Sequence, residues 1–273
     1  MLFQCGRFQL DLSQPRVMGI VNVTPDSFSD GGKFNSTEKA IEHALQLVAD
    51  GADILDIGGE STRPGATPVP LDEELSRVIP VIEGLRDAGV PLSIDTYKPE
   101  VMRAAIAAGA DIINDVCALR EPHALEIVAA SQAGVCLMHM QGRPQTMQAD
   151  PQYDDVVKEV KDFLAERLAA AEHAGIDRAR IVLDPGFGFG KRTAHNLTLL
   201  NHLNDIQSLG LPLLIGLSRK SVLGQVVGSN VDERLHASIA ASVVSVMKGA
   251  NIVRVHDVKP TVDALKIVKA VIV

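Results

Sequence analysis

Eight short apolar runs alternate with amphipathic segments along this chain, and that alternation constrains the fold more than any other feature. The runs cover residues 17–23, 54–57, 92–94, 112–116, 135–140, 181–183, 213–217 and 252–255. Between them, apolar residues recur at helical spacing, as in Val78, Val81 and Ile82, which predicts amphipathic helices. Strands that are apolar on both faces and separated by helices form parallel sheets. Eight such units predict a (β/α)8 TIM barrel, with a doubly wound open sheet as the alternative.

Two kinds of helix-to-strand junction repeat along the chain. In the first, Gly-Ala-Asp-Ile or Gly-Ala-Asn-Ile covers residues 51–54, 109–112 and 249–252. In the second, a glycine stands where a helix must end in a left-handed conformation, and these glycines are Gly89, Gly134 and Gly210. The repeats indicate that six helices lead directly into six strands.

A single domain over residues 1–273 fits this pattern. Barrels of this class commonly reach about 250 residues, and no stretch rich in Pro, Gly or Ser divides the chain. Apolar residues alternate over residues 2–12 about Gly6, which predicts a short N-terminal β-hairpin able to plug the barrel floor. The first strand is not followed by Gly-x-Gly-x-x-Gly, which argues against a dinucleotide-binding sheet.

Charge, cysteine usage and hydropathy exclude several classes of protein. With 26 Lys plus Arg against 34 Asp plus Glu, the net charge is −8, and without a basic run the chain is not expected to bind nucleic acid. Cys5, Cys117 and Cys136 are too widely spaced for a disulfide framework or a zinc knuckle. No apolar stretch reaches the roughly 18 to 20 residues of a membrane span, and Arg7 and Asp11 interrupt any signal peptide. We therefore expect a cytoplasmic protein without a membrane partner.

Each predicted strand ends in a polar or ionisable side chain, and in such barrels these ends carry the active site. In chain order the residues are Asn22, Asp56, Asp95, Asn114 with Asp115, His139, Asp184, Ser218 leading to Lys220, and Arg254 with His256. Any one of them could cap the following helix, as Asp and Asn commonly do. Capping does not account for eight such positions together, so the pattern predicts a polar site.

Three of these residues indicate a heterocycle. Asp95, Asn114 and Asp184 can match a flat ring that offers several N–H donors and a carbonyl, such as a pterin or a purine. A structural polar network beneath a ligand is the alternative interpretation.

Three cationic residues indicate phosphate. Lys220 follows the seventh strand, and Arg254 and His256 lie two residues apart on one face of the eighth. Barrels often hold phosphate near these strands, where cations meet backbone N–H groups at helix starts. With Asn22 as an oxygen ligand for Mg²⁺, the set suggests a diphosphate clamped by protein cations and the metal.

Two long loops follow the first and second strands. They cover residues 23–32 and 58–65 and combine glycines, turn residues and one aromatic or cationic side chain. Such loops act as lids that order on substrate binding and exclude water. A surface loop without function is the alternative for either of them.

The longer motifs resemble those of one enzyme family. Residues 18–30 read Met-Gly-Ile-Val-Asn-Val-Thr-Pro-Asp-Ser-Phe-Ser-Asp, and residues 51–64 read Gly-Ala-Asp-Ile-Leu-Asp-Ile-Gly-Gly-Glu-Ser-Thr-Arg-Pro. Further matching segments follow in the family's order at residues 93–96, 113–115, 138–140, 183–189, 218–221 and 254–256. Over essentially its whole length the chain resembles the bacterial dihydropteroate synthases, pterin-binding transferases of folate biosynthesis.

The resemblance implies a reaction and a set of site residues. The reaction joins 6-hydroxymethyl-7,8-dihydropterin diphosphate to 4-aminobenzoate and gives 7,8-dihydropteroate and diphosphate. The residues implied at the pterin are Asp95, Asn114, Met138, Asp184, Lys220 and Arg254. Those implied around 4-aminobenzoate are Phe28, Thr62, Arg63, Pro64, Phe189 and Ser221. At the diphosphate the resemblance implies Arg254, His256 and a Mg²⁺ ion bound by Asn22.

The resemblance also assigns roles and an assembly. The residues expected to act in catalysis are Asp95, Lys220, Arg254 and His256. Asp56 is given a supporting role, and the roles of Asp26 and Asp30 stay open. A homodimer is implied, and the seventh helix offers a face of small residues for it: Ala240, Ala241, Val243, Val244 and Val246.

The expected chemistry is an SN1-like substitution, because diphosphate leaves as an anion and the pterin methylene can become a delocalised cation. Cations and Mg²⁺ stabilise the departing charge, and carboxylates such as Asp95 stabilise the pterin cation. The neutral arylamine needs no strong base. The main alternative is a pterin-dependent methyltransferase that acts with a corrinoid protein and needs no diphosphate clamp. An aldolase-like barrel with Lys220 as Schiff base and an inactive pterin-binding scaffold are further alternatives.

Overall fold

Two short strands precede the eight strands of a barrel. The computed structural model describes residues 1–23, 32–62, 65–143 and 146–271, with the backbone alone for residues 32–35. The strands are β1 (Leu2–Cys5), β2 (Phe8–Asp11), β3 (Arg16–Asn22), β4 (Ile54–Gly58), β5 (Leu92–Asp95), β6 (Ile112–Asp115), β7 (Gly134–Met138), β8 (Ile181–Asp184), β9 (Leu214–Ile215) and β10 (Ile252–Val255).

Helices follow every barrel strand and bury their apolar faces against the sheet. They are α1 (Gly32–Ala49), α2 (Leu71–Gly84), α3 (Pro99–Ala108), α4 (Ala124–Ala129), α5 (Val156–His173), α6 (Thr193–Asn201), α7 (Leu203–Gln207), α8 (Ser221–Val227), α9 (Leu235–Met247) and α10 (Val258–Val271). In α2 the periodic residues Val78, Val81 and Ile82 are fully buried, as their spacing predicts. None of the helices in the described ranges is long and apolar enough to cross a membrane.

The barrel strands run parallel and nearly close into a cylinder. Their order is β8-β7-β6-β5-β4-β3-β10-β9, so the first and last barrel strands are neighbours. Between β8 and β9 a bridge from Leu183 to Leu213 completes the circuit. The strand predicted over residues 213–217 is shorter in the structure, because a turn in which Lys220 N donates to the Leu217 carbonyl (3.2 Å) begins soon after β9. The predicted (β/α)8 barrel is confirmed.

The N-terminal hairpin covers the floor of this barrel, as predicted. β1 and β2 pair antiparallel, with Cys5 opposite Phe8. The side chains of Phe3 and Cys5 pack in one cluster with the first inward-facing residues of the barrel strands, among them Met18 and Ile112. The Arg7 guanidinium then ties the hairpin to the loop before β6 through hydrogen bonds of 3.0 Å to each oxygen of Asp111.

One predicted helix end is wrong. The expected left-handed conformation is found at Gly51, Gly89, Gly109, Gly210 and Gly249. Gly134 instead begins strand β7 and does not have a positive φ. A Cβ atom at Gly134 would lie 2.6 Å from the ring of Phe3, so glycine is required here to let the hairpin approach β7.

The helix face predicted for a dimer is only partly exposed in the structure. Ala241 is 7% exposed and belongs to the core, and Val243 and Val246 pack against that core. These three residues are therefore turned towards the barrel and are poorly placed for a partner. The apolar residues that α9 does expose, at helical spacing, are Ala240, Val244 and Met247.

Candidate functional site

A cavity of about 1300 Å³ opens at the carboxyl ends of the barrel strands. Parallel pairing sets the inward-facing residues of neighbouring strands side by side, as with Asp95 and Asn114 or Met138 and Asp184. The predicted site residues that line the cavity are Asn22, Thr62, Asp95, Asn114, Met138, Asp184, Phe189, Lys220, Ser221, Arg254 and His256. The remaining predicted residues, Phe28, Arg63 and Pro64, lie outside the described residues, as do Asp26 and Asp30.

Arg254 joins two carboxylates at the centre of the cavity floor. Its Nε donates to Asp56 Oδ2 at 2.5 Å, and its Nη2 donates to Asp95 Oδ2 at 2.7 Å. Asn114 Nδ2 donates to the same Asp56 oxygen at 3.1 Å. Asp56 is completely buried behind the cavity wall, so it acts by holding Arg254 and Asn114 in place.

Asp95 lines the cavity between Arg254 and Asn114. Its Oδ1 atom and that of Asp56 are buried without a hydrogen-bond partner among the described residues, which is costly for a carboxylate. Burial raises the pKa of Asp95 to about 7, although the nearby Arg254 charge acts in the opposite direction. Asp95 is therefore a carboxylate whose charge depends on pH near neutrality.

Asp184 and Lys220 face the same part of the cavity. Asp184 Oδ1 accepts from the backbone N–H of Gly186 at 2.7 Å, and burial raises its pKa, with Lys220 as the largest opposing influence. The Lys220 ammonium donates to the Phe187 carbonyl and lies 4.4 Å from the centre of the Phe189 ring. Burial lowers the pKa of Lys220 to about 8, so it is mostly charged at pH 7.

The segment before Lys220 is held by the loop that follows β10. His256 Nδ1 lies 3.0 Å from Ser218 Oγ, which also accepts from the His256 backbone N–H at 3.2 Å. Arg219 has a left-handed φ of 58° and donates twice to Asp257, at 3.0 and 2.6 Å. Because a left-handed conformation is costly for Arg, these contacts fix the direction in which Lys220 leaves the backbone.

Asn22 is the metal ligand that the sequence suggests. It ends β3 and lines the cavity, and an amide oxygen is a group that can ligate a cation. Within the described residues no group of three or more His, Cys, Asp or Glu could hold a metal. One protein oxygen suits Mg²⁺ that arrives with a phosphate substrate, since Mg²⁺ keeps several waters and takes phosphate oxygens as ligands. The residue present therefore fits this metal.

Sequence reasoning missed two residues in this region. Lys191 lines the cavity, and its ammonium lies 2.8 Å from Nδ1 of His139, a residue noted only as a strand end. Glu60, near the start of the second loop, forms an ion pair with Lys98. Lys191 directly follows a glycine-rich segment, which is the signal in the sequence that could have directed attention to it.

Comparison with known proteins agrees with this geometry. The family described as pterin binding enzyme matches residues 18–256. The dihydropteroate synthase of Escherichia coli K12 is 54% identical over 262 residues, which cover 96% of this chain and 93% of that protein. A structure of Xanthomonas albilineans dihydropteroate synthase with 4-aminobenzoic acid has a TM-score of 0.93 at 57% identity, and the match covers 99% of this chain and 97% of that one. The Burkholderia cenocepacia dihydropteroate synthase complexed with 7,8-dihydropteroate has a TM-score of 0.92 at 54% identity, with 99% and 96% covered.

Proposed function

The chain belongs to the dihydropteroate synthase family of pterin-binding enzymes, and on this premise we propose how its site makes 7,8-dihydropteroate. The substrates are 6-hydroxymethyl-7,8-dihydropterin diphosphate and 4-aminobenzoate, and diphosphate is the second product. The observation that carries the proposal is one hydrogen-bonded network at the floor of the cavity, in which Arg254 donates to Asp56 and Asp95 and Asn114 donates to Asp56. The methyltransferase alternative has no comparable support, since the relatives named above are dihydropteroate synthases.

The carboxylates act on the ring. Asp184, Asn114 and Asp95 line the cavity and supply carboxylates and an amide for the polar edge of a pterin. When the methylene–oxygen bond of the diphosphate ester breaks, positive charge spreads into the ring. A negative charge on Asp95 stabilises that cation in a site with little water. Arg254 keeps Asp95 correctly oriented and limits the repulsion between Asp95 and Asp56.

The cations stabilise the leaving diphosphate, and the second substrate then attacks. His256 and Lys220 lie on the last two barrel connections, where they can donate to diphosphate oxygens as negative charge develops. Mg²⁺, held by Asn22, supplies further stabilisation of that charge when it is bound. The amine of 4-aminobenzoate then attacks the methylene carbon and loses one proton. The amine is neutral at pH 7, so no strong base is required.

Two further proposals concern the setting in which the enzyme works. The three cysteines are buried as free thiols, which supports a reducing compartment such as the cytoplasm. The exposed stripe Ala240, Val244 and Met247 on α9 supports a homodimer built on that helix.

Release of diphosphate from the pterin substrate tests the proposed function. We expect release to require 4-aminobenzoate in stoichiometric amounts and to fall when EDTA removes Mg²⁺. Asn22→Ala should need more Mg²⁺ for half-maximal rate, whereas Asn201→Ala, on the outer helix α6, serves as the matched control. Methyl transfer to a corrinoid protein, without diphosphate release, would contradict the proposal.

A further inference from the structure

A turn between β8 and α6 is held almost entirely by side chains. This turn, residues 186–190, carries Phe189 into the cavity, and we refer to it as the glycine turn. Each of its five carbonyl groups accepts a hydrogen bond from a side chain. The donors, in order along the turn, are Lys191, Lys220, Gln148, Lys191 again and Tyr153.

Lys191 is unusual among these donors because it is a buried ammonium whose partners are all neutral. It is 3% exposed, and its Nζ donates to the carbonyls of Gly186 at 2.8 Å and Phe189 at 3.1 Å. The third partner is His139 Nδ1, at 2.8 Å. Burial lowers the pKa of Lys191 well below its ordinary value, with the Asp184 charge acting in the opposite direction. The three acceptors match the three N–H bonds of an ammonium, so the contacts themselves favour the protonated lysine.

His139 serves as the third acceptor because its environment keeps it neutral. Burial lowers the pKa of His139 to about 2, and the Lys191 charge acts in the same direction. Since Nδ1 accepts from Lys191, the ring proton is on Nε2. The His139 ring also packs edge to face with Phe163, 4.9 Å between centres, which fixes its orientation.

The glycine turn packs closely against the backbone that follows β7. A Cβ atom at Gly186, which has a φ of 70°, would overlap with the carbonyl oxygen of His139. A Cβ atom at Gly190 would lie 2.5 Å from the carbonyl oxygen of Gln141. The turn therefore contacts the residues that follow β7 directly. Lys191 bonds to it at two points, the carbonyls of Gly186 and Phe189.

We propose that Lys191, with His139 as its acceptor, is a positioning residue that fixes the glycine turn and so places Phe189 for 4-aminobenzoate, with Lys220 against the Phe189 ring. The inference rests on the proposed function and extends it. Lys220 donates to the Phe187 carbonyl of the same turn, and its ammonium stands over the Phe189 ring. Displacement of the turn therefore moves both residues together, while Asn114 and Asp56 on other strands stay where they are.

The test compares two buried cations that bind carbonyl groups at opposite ends of β8. Lys191→Met removes the ammonium at the cavity end. Arg180→Met removes a guanidinium that donates to the carbonyls of Ala133 and Val128 at the floor end, and Arg180 is also buried, at 6% exposure. Both variants should be less stable than the parent protein in thermal unfolding. Only Lys191→Met should raise the KM for 4-aminobenzoate, by about tenfold or more, because small displacements near the reacting groups are costly.

The pterin provides the internal comparison. Because the backbone N–H of Gly186 donates to Asp184, we expect the Kd of Lys191→Met for a pterin without phosphate to rise, but by a smaller factor than the KM for 4-aminobenzoate. If the KM for 4-aminobenzoate is unchanged, or rises equally in Arg180→Met, Lys191 only stabilises the fold and the inference is overturned. If Lys191→Met does not fold, His139→Leu is measured in its place. This variant keeps Lys191 and removes one of its three acceptors. An unchanged KM for 4-aminobenzoate in His139→Leu also overturns the inference.

Hydrogen exchange separates this inference from the proposed function. Exchange at the amides of the glycine turn requires no substrate and no turnover. We expect these amides to exchange faster in Lys191→Met than in Arg180→Met. If the parent enzyme does not release diphosphate, the proposed function fails, and the exchange comparison still decides whether Lys191 fixes the turn.

Discussion

At the scale of single residues, the site divides into side chains for the ring and side chains for the leaving group. His256 belongs to the second group, because it lines the cavity beside Lys220 and its Nδ1 lies 3.0 Å from Ser218 Oγ, which fixes the ring. We predict that His256→Ala lowers turnover on the order of 10²-fold to 10³-fold, the usual cost of losing one preorganised donor to a developing anion. Its affinity for a free pterin, measured by calorimetry, should stay near that of the parent.

Asp184→Ala is the matched variant for this experiment and should show the opposite pattern. Asp184 is 6% exposed, and its loss leaves ring donors without an acceptor. The affinity for free pterin should fall about 100-fold, which corresponds to roughly 2.7 kcal/mol. If His256→Ala weakens free pterin as much as it weakens the diphosphate ester, the division of the site into two parts is wrong.

Two perturbed residues predict the pH dependence of the reaction. The pKa of Asp95 is raised to about 7, so this carboxyl is protonated below that pH and no longer stabilises a cation. The pKa of Lys220 is lowered to about 8, so its positive charge is lost above that pH. We predict that kcat/KM for the pterin substrate is highest between these values and falls on both sides.

Two variants test which residue causes the acidic limb and which causes the alkaline limb of that pH profile. Asp95→Asn should remove the acidic limb from its residual activity, and Lys220→Arg should move the alkaline limb to higher pH because Arg stays charged. An acidic limb that persists unchanged in Asp95→Asn would assign it to another group.

At the scale of elements, several barrel strands change from apolar to polar along their inward face. On β10, Ile252 packs on the hairpin and Arg254, two residues later, reaches the carboxylates of the site. β6 repeats this with Ile112 and Asn114. Because side chains alternate with a period of two, one short strand supplies both a floor residue and a site residue. The hairpin and the cavity are therefore at opposite ends of the same strands.

This arrangement predicts that the hairpin contributes stability rather than catalysis. Phe3→Ala should lower the free energy of unfolding by about 3 to 5 kcal/mol, since Phe3 is 1% exposed and fills the barrel floor. The KM values of the folded fraction should not change. Leu2→Ala, on the same strand at 53% exposure, is the control and should change stability by less than about 0.5 kcal/mol. Urea unfolding measures both, and equal effects would contradict the role assigned to Phe3.

The elements could be predicted from the sequence, but several contacts between them could not. Periodicity is local, so it located all eight barrel strands within a few residues. The role of Gly134 depends on Phe3, which lies far away in the sequence and reaches it only through the hairpin. Ala241 faces the core for a similar reason, since the neighbouring helices decide which side of α9 is covered.

For the site, too, the sequence predicts the residues placed by local patterns but not those placed by contacts between distant segments. Its strand-end residues could be predicted because parallel strands bring their carboxyl ends together. Motif resemblance added Phe189 and Ser221, which the structure places on the cavity wall. Lys191 was missed because a lysine after a glycine-rich segment reads as a surface residue. Its burial becomes evident only when β7 and the glycine turn are in place.

At the scale of the whole molecule, the net negative charge repels anionic substrates, so cationic side chains near the site have to attract them locally. The chain carries −8, whereas the proposed substrates are anions. Lys220, Arg254 and Arg219 are gathered near the last two barrel strands, where low dielectric strengthens their attraction for phosphate. Arg254 and Arg219 are each ion-paired with carboxylates, so the attraction for phosphate is local to this side of the cavity.

The last prediction concerns assembly through α9. Val244 is 39% exposed and Met247 is 66% exposed, and together with Ala240 they form a continuous apolar stripe on the outer surface of the barrel. A two-fold dimer would pair this stripe with itself, so one substitution places two charges in the interface. We predict that Val244→Lys converts the dimer to a monomer in sedimentation equilibrium, because two buried like charges cost far more than the contacts they replace.

Leu45→Lys, on the exposed face of α1 at 47% exposure, is the control and should leave the dimer intact. Both proteins should keep the parent KM values if each barrel holds a complete site. Dissociation caused by Leu45→Lys and not by Val244→Lys would move the interface to α1, and a parent protein that sediments as a monomer would remove the dimer altogether.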